Sequence, residues 1–386
     1  MEGKEMAARY GAENVYDFSL GNPATPAPEK IKTAIYDILD KEDPLVVHGY
    51  MANAGYEEVR EAIAENLNER FGTNFHGKNL IMTVGAAGGL NIIFKTILDP
   101  GNEVMVFAPY FGEYKSYAAN FDAKIVEVMP NEADFMPDLA DFERKITKDT
   151  RAVIINNPNN PTGALYPKEV LQKIVDLARE HHLIIFSDEI YDRLVMDGKE
   201  HISIASLAPD LFCVTFSGLS KSHMIAGFRI GWMVLSGNKA IAKDYIEGIK
   251  MLSNMRLCSN VPAQSVVQTA LWGNQSVNDY LVPGGRIYEQ REYIYKALTD
   301  IPGITAVKPQ AAFYMFPKID VKKFNIVNDE KFALDLLQDK KILIVQGSGF
   351  NWKQPDHFRV VYLPRIEVLK EAVGKISDFL SYYRQG

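Results

Sequence analysis

The stretch FCVTFSGLSKSHMIAGFRIGW, residues 212–232, decides the fold because two apolar runs enclose a polar turn that carries one lysine. The first run, FCVTF, is rich in β-branched and aromatic residues and predicts a buried strand. The Ser/Gly turn places Lys221 at the carboxyl end of this strand, where open α/β sheets build their binding sites. A lysine in a polar loop is most often a solvated surface charge, so its neighbours must decide its role.

Similar apolar runs recur along the chain and predict further strands at 80–84, 103–108, 152–156, 183–187 and 230–235. Helical patterns lie between them, with apolar faces formed by Val59, Ile63 and Leu67 and by a segment that follows Pro167. This alternation of strands and helices predicts an α/β fold, in which helices cover both faces of a mostly parallel sheet.

The two ends of the chain have a different pattern. Residues 1–45 are rich in loops, whereas 286–386 mix helices with short strands. We therefore expect a large domain over 46–285 and a smaller α+β domain built from both chain ends. Proline and glycine place the hinges near residue 45 and at VPGG, 282–285.

The composition limits the possible partners and compartment. The 386 residues are 47% hydrophobic and 24% charged, which excludes disordered and fibrous proteins. A net charge of −7 without a basic block argues against nucleic acid and anionic membranes. The sequence shows neither a secretion signal nor an apolar run long enough to span a membrane. Cys213 and Cys258 lack metal-ligand spacing, so we expect reduced thiols, a cytoplasmic protein and no metal.

Two more motifs follow predicted strands and can converge with Lys221. DEIY offers Asp188 and Tyr191 after one strand, and NNPNNPTG offers Asn160 on a rigid turn after another. Asp188 could alternatively be only a helix N-cap. A third motif, TVGAAGGL at 83–90, leads into a helix and presents free backbone N–H groups to an anion, those of Ala86, Ala87 and Gly88.

A phosphate cradle, a lysine, a carboxylate, a phenol and an amide at strand ends are the parts needed to hold pyridoxal 5′-phosphate. The lysine forms a Schiff base with this cofactor, and an acidic partner keeps its pyridine nitrogen protonated. Asp188 fits the acidic role. The cradle is neither a Walker loop nor a dinucleotide fingerprint, because it has neither GK[ST] nor GxGxxG spacing.

The order NPNNPTG, DEIY, SGLSK and GFRIGW resembles the class I aminotransferases, which are fold type I pyridoxal phosphate enzymes. From about residue 181 onward the chain is most similar to bacterial glutamate–pyruvate (alanine) aminotransferases. The resemblance implies a seven-stranded, mostly parallel sheet between helices. It also implies a two-fold homodimer with a composite active site.

Matched motif by motif, the resemblance assigns roles to the candidate residues. Lys221 would hold the cofactor and move the substrate proton, and Asp188 would pair with the pyridine nitrogen. Tyr191 and Asn160 would hydrogen-bond the phenolic oxygen of the cofactor. Phe111, in APYFGEY, would stack on the pyridine ring, although an aromatic residue there could equally belong to the core.

The resemblance also assigns phosphate contacts. Arg229 would bind the phosphate, and Tyr50 would reach the phosphate of the neighbouring subunit. Gly218 stands where many relatives have a phosphate-binding Ser or Thr, so Ser217 or Ser220 would substitute for it.

For the substrate α-carboxylate, the resemblance implies Arg359 in HFRVVYLP and Gly21 in SLGNP. Asn160 would contribute to the same substrate site. Arg256 is a weak candidate for a distal carboxylate. Side-chain specificity therefore stays open between acidic and small neutral donors.

The predicted function is amino-group transfer by a ping-pong mechanism. Alanine is the first expected donor, with glutamate or aspartate as alternatives, and the acceptor is 2-oxoglutarate or pyruvate. A C–S lyase acting through the same cofactor is the alternative reaction, because fold does not determine which substrate bond breaks. A non-catalytic, cofactor-binding regulator is less favoured, since it would need a DNA-binding appendage.

Overall fold

The computed structural model describes residues 2–22, 25–273 and 275–386. Its α-helices are, in chain order, α1 (Glu2–Tyr10), α2 (Glu29–Lys41), α3 (Pro44–His48), α4 (Glu57–Phe71), α5 (Gly85–Ile97), α6 (Glu113–Ala119), α7 (Leu139–Lys145), α8 (Lys168–Glu180), α9 (Lys243–Met255), α10 (Val261–Gln264), α11 (Val267–Trp272), α12 (Val277–Tyr280), α13 (Arg286–Thr299), α14 (Val321–Phe324), α15 (Asp329–Lys340) and α16 (Ile366–Tyr382). Its strands are β1 (Tyr16–Asp17), β2 (Leu80–Val84), β3 (Glu103–Phe107), β4 (Lys124–Val128), β5 (Thr150–Asn156), β6 (Ile184–Asp188), β7 (Phe212–Gly218), β8 (Ile230–Gly237), β9 (Ile304–Thr305), β10 (Tyr314–Met315), β11 (Lys318–Ile319), β12 (Ile342–Leu343), β13 (Val345–Gln346) and β14 (Phe358–Val361).

Within the described ranges, the main sheet has seven strands in the order β2-β8-β7-β6-β5-β3-β4. β8 runs antiparallel to both of its neighbours, and the other pairs are parallel. The expected mostly parallel α/β sheet is therefore confirmed. β4 was not predicted from the sequence, because it is an edge strand of which only the last residue is buried, and its sequence KIVEV has a short apolar run between charges.

Helices cover both faces of this sheet, as the alternation of side chains along β3 illustrates. Val104 and Val106 pack in one apolar cluster with residues of α5. Met105 and Phe107 point to the opposite face and pack with residues of α8. Because both faces are buried, the central strands are apolar throughout, which is why they were visible in the sequence.

The chain ends contribute a second apolar cluster. Phe18 packs there with residues from α13, α15 and α16. Small sheets join this region, in the orders β1-β12, β10-β14-β13 and β11-β9. Ile31 of α2 packs instead with Val59 of α4 and Leu271 of α11.

The domain boundaries at residues 45 and 285 stay predictions. Among the described helices, none is long and apolar enough to cross a membrane.

The sheet brings the sequence motifs to one edge. The parallel strands β5, β6 and β7 end there at Asn156, Asp188 and Gly218. β2 also ends at this edge, and the antiparallel strand β8 begins there. Polar side chains that directly follow these strands therefore meet in space, as expected for an open α/β sheet.

Candidate active site

A cavity of about 350 Å³ lies at this edge of the sheet. Its lining comes from both chain ends and from the turns that follow the strands, and its size suits a small cofactor with a small substrate. The predicted site residues that line it are Gly21, Ala86, Ala87, Phe111, Asn160, Asp188, Tyr191, Ser220, Lys221, Arg229 and Arg359.

Lys221 lies in the turn after β7. Its Nζ donates a hydrogen bond of 2.6 Å to the Gly21 carbonyl oxygen, which fixes the position of the side chain. Burial lowers the pKa of Lys221 to about 8, and the charges of Arg359 and Arg229 add to this effect. A larger fraction of Lys221 is therefore neutral at physiological pH than of an ordinary lysine. A neutral amine can attack a carbonyl carbon or accept a proton.

Asp188 ends β6, and its carboxylate is buried. The Tyr114 hydroxyl donates a hydrogen bond of 2.6 Å to Asp188 Oδ2. Burial raises the pKa of Asp188 to about 6, while the hydrogen bonds from Tyr114 and the backbone N–H of Ile190 oppose this rise. Asp188 therefore stays mostly ionised at pH 7 and can pair with a cationic nitrogen. Tyr114 was not predicted, because it lies inside α6 rather than at a strand end.

Phe111 lies between β3 and α6 and contributes its side chain to the cavity lining. It is half-buried, and its ring meets that of Tyr114 edge-on, with 5.6 Å between the ring centroids. The ring also packs against the apolar cluster beneath α5. Its position suits the expected stacking on a cofactor ring, which stays a prediction.

The phenol of Tyr191 faces a second phenol that was not predicted from the sequence. The hydroxyl oxygens of Tyr191 and Tyr314 are 2.9 Å apart, and both rings are buried. Burial raises the pKa of Tyr191 well above its ordinary value, and it also raises the pKa of Tyr314. Both phenols therefore stay neutral and can donate hydrogen bonds. Tyr314 comes from β10 of the chain-end region, far from the motifs in sequence.

Arg359, from β14, is buried and lines the cavity. Its Nη1 donates to Asn160 Oδ1 at 2.8 Å, and its Nη2 donates to the Ser19 carbonyl oxygen. The ring centroids of Tyr314 and Phe350 lie 4.6 Å from the guanidinium carbon. The Nε has no hydrogen-bond partner in the described part of the chain. This planar and incompletely paired cation suits a carboxylate ligand.

An anion cradle forms at the N-terminus of α5. No side chain caps this helix in the described ranges, so its first N–H groups stay free, and Ala86 and Ala87 line the cavity. Arg229 approaches so closely that a β-carbon at Gly85 would collide with its guanidinium, and Gly85 has a φ of 69°. The positive φ and this close contact together favour glycine at position 85.

The structure separates the two serines that could replace the usual phosphate contact. Ser220 lines the cavity, whereas Ser217 borders a separate small void. Gly218 pairs with Gly231 of β8, and a β-carbon at position 218 would lie 2.5 Å from the Ile230 carbonyl oxygen. A serine cannot occupy position 218 without moving β8, which explains the departure from the family pattern.

Besides Ser217, three predicted residues do not line this cavity. Gly88 lies in the first turn of α5 but outside the lining. Tyr50 is 85% exposed and does not line the cavity of its own chain. Arg256 donates to the carbonyl oxygens of Met82 and Leu257, also away from the cavity. The roles of Gly88 and Tyr50 stay predictions, and Arg256 is not placed to bind a distal carboxylate in its own chain.

The donor set of the cavity fits pyridoxal 5′-phosphate. The α5 N-terminus, Ser220 and Arg229 offer hydrogen bonds and charge to a phosphate. Lys221 offers an amine to the aldehyde, and Asp188 offers a carboxylate to the ring nitrogen. The expected parts of a cofactor site are therefore present in one cavity.

Comparison with known proteins agrees with this chemistry. The family model "Aminotransferase class I and II" matches residues 13–376. The chain is 45% identical over 375 residues to the glutamate-pyruvate aminotransferase AlaA of Escherichia coli K12, covering 96% of this chain and 91% of that protein. It is 41% identical over 388 residues to the alanine aminotransferase of Mycobacterium tuberculosis H37Rv, covering 99% and 89%. A solved aminotransferase structure from Escherichia coli superimposes with a TM-score of 0.96 at 44% identity, covering 100% of this chain and 95% of that one. The chain therefore belongs to the class I and II aminotransferases, enzymes that depend on pyridoxal 5′-phosphate.

Proposed function

We propose that this aminotransferase moves the amino group between L-alanine or L-glutamate and the 2-oxo acids pyruvate and 2-oxoglutarate, with L-aspartate as a further donor. The observation that carries the proposal is the shared cavity of Lys221 and Arg359, an amine of lowered pKa beside a carboxylate-binding fork. The similarity to relatives named for glutamate, pyruvate and alanine supports this substrate class.

The proposed cofactor contacts follow from the cavity lining. Ala86, Ala87, Ser220 and Arg229 would hold the phosphate, with Gly88 as a further N–H donor. The bound cofactor supplies an electron-accepting ring that stabilises the negative charge left when the substrate Cα–H bond breaks. The other residues of the site act on the cofactor and substrate in separate ways.

Four side chains would set the electronic state and position of the cofactor. Asp188 holds the ring nitrogen protonated, because its carboxylate is ionised above about pH 6. Tyr191 and Asn160 would donate hydrogen bonds to the phenolic oxygen. Asn160 accepts from Arg359 through Oδ1, so its Nδ2 group is the part that can donate. Phe111 would pack on the ring face.

Lys221 would move the proton. Its Nζ would accept the proton from the substrate Cα and later release it. A pKa of about 8 lets the same amine both accept and release a proton near neutral pH. Arg359, together with the backbone at Gly21, would hold the α-carboxylate and so orient the substrate toward Lys221.

The experiment is an amino-acid scan of the holoenzyme. Each amino acid is added alone, and loss of the yellow absorbance of the bound cofactor is recorded, with Lys221→Ala as the blank. We expect L-alanine and L-glutamate to bleach the absorbance and 2-oxoglutarate to restore it. If only aromatic or sulfur amino acids bleach it, the substrate assignment is wrong. Release of free pyruvate and thiol from cystathionine would instead favour a C–S lyase.

We also propose that the active form is a cytoplasmic homodimer with composite sites. Tyr50 is 85% exposed and does not line its own cavity, which suits a residue that serves the partner subunit. Leu45, Met251 and Met255 are also largely exposed, and association would cover such apolar surface. Sedimentation of the holoenzyme tests the dimer, and a monomer with full activity would contradict it. The two cysteines are unpaired, which supports the cytoplasmic location.

A further inference from the structure

A second large cavity, of about 500 Å³, lies at the opposite end of β2 and β8 from the active site. It is lined by the start of β2 and the end of β8, by α4 and α9, and by the turns before β2 and after β8. Four residue steps of strand, about 13 Å, separate Leu80 at this end from Val84 at the other. The two cavities are therefore distinct sites on the same strand pair.

The charged residues of this second cavity are all cations. Arg60, Lys78, Lys239 and Lys250 line it, and no aspartate or glutamate does so among the described residues. Of the three lysines, Lys250 alone forms an ion pair in the described part of the chain, with Glu247 at 2.9 Å.

The protein does not fully compensate the charge of this cluster. Partial burial and the nearby charge of Lys78 lower the pKa of Lys239, although its side chain stays exposed to solvent. Arg60, by contrast, is fixed in place, because it donates to the carbonyl oxygens of Gly55 and Gly77.

We propose that this cavity is a binding site for a multiply charged phosphate compound, of the pyrophosphate or phosphate-ester class. The anion would lie among Lys78, Lys239 and Lys250 and relieve the repulsion between these three cations. A single carboxylate would neutralise only part of this charge, whereas a pyrophosphate carries several charges and several acceptor oxygens. Leu80 and Leu235 in the wall offer an apolar surface to the organic part of an ester.

The test is calorimetric titration of the holoenzyme with inorganic pyrophosphate at constant ionic strength. The holoenzyme is used because its own cofactor phosphate fills the phosphate cradle of the active site, and the lysine variants distinguish the second cavity from the substrate site at Arg359. We expect one pyrophosphate per subunit. In Lys78→Gln/Lys239→Gln the affinity should fall about tenfold, the loss expected for two solvent-screened charge contacts.

The matched control is Lys124→Gln/Lys173→Gln, which removes the same charge from exposed lysines elsewhere on the chain. It should bind pyrophosphate like the parent protein. The proposal is overturned if the parent holoenzyme gives no binding isotherm, or if the two double variants bind with equal affinity. None of these outcomes depends on which amino acid the enzyme transaminates.

Discussion

The hydrogen bond from Tyr114 to Asp188 gives a quantitative prediction about cofactor binding. Tyr114→Phe removes the 2.6 Å bond to Oδ2 and leaves the rest of the buried ring in place. Removing a hydrogen bond to a charged group costs about 1.5 to 3 kcal/mol. At about 1.4 kcal/mol per pKa unit, the pKa of Asp188 should rise by about 1 to 2, from its present value of about 6.

The assay is the pH dependence of pyridoxal 5′-phosphate affinity for the apo-protein, because only ionised Asp188 pairs with the protonated ring nitrogen. The midpoint of the acidic limb should move from about pH 6 to about pH 7 to 8 in Tyr114→Phe. Lys221 titrates alike in both proteins, so the comparison isolates Asp188. The matched control is Tyr117→Phe, on the same helix, whose hydroxyl does not bond Asp188 within the described ranges, and it should leave the midpoint in place. Equal midpoints for Tyr114→Phe and the parent protein would refute the reasoning.

Three further predictions concern the cavity residues. Burial raises the pKa of Asp188 to about 6, so its contribution to apo-protein stability is present below about pH 4 and is lost as the pH rises through about 6. Asp188→Asn should therefore stabilise the apo-protein at pH 8 by up to about 3 kcal/mol in thermal unfolding while abolishing turnover; an unchanged or lower stability at pH 8 would contradict this. Arg359→Lys replaces a planar fork by a point charge, so the KM for every amino donor should rise about 10- to 100-fold, and an unchanged KM would place the carboxylate elsewhere. Glu113 lines the cavity and repels a second substrate carboxylate, so Glu113→Gln should lower the KM for glutamate about threefold and leave that for alanine unchanged; parallel changes for both substrates would count against a charge effect.

The central strands of the sheet, and the site residues that directly follow them, could be predicted best from the sequence. Lys221 and Asp188 follow apolar runs, and parallel strands bring such ends to one edge, so their meeting could be inferred from the sequence. Buried strands were visible because both of their faces are covered, whereas the edge strand β4 was not. Tyr114 could not be inferred in this way, because a residue within a helix carries no sign of which carboxylate it faces.

Contacts between segments that are far apart in the chain could not be inferred from the sequence either. Tyr314 reaches Tyr191 from 123 positions away, and nothing in its own neighbourhood indicates that contact. The choice between Ser217, in β7, and Ser220, just after it, likewise required the side-chain directions at this strand end. In the sequence, Gly218 is only a departure from the Ser or Thr that many relatives have at this position. The structure gives the physical reason, because a β-carbon there would collide with the Ile230 carbonyl oxygen.

The central claim is that the Lys221 amine is the group covalently bonded to pyridoxal 5′-phosphate. Borohydride reduction of the holoenzyme fixes the cofactor to whichever amine holds it, and peptide mass spectrometry then locates the added mass. We expect one reduced cofactor per chain, on the peptide that contains Lys221. Label on a different lysine, or a reduced protein without label, would contradict the claim.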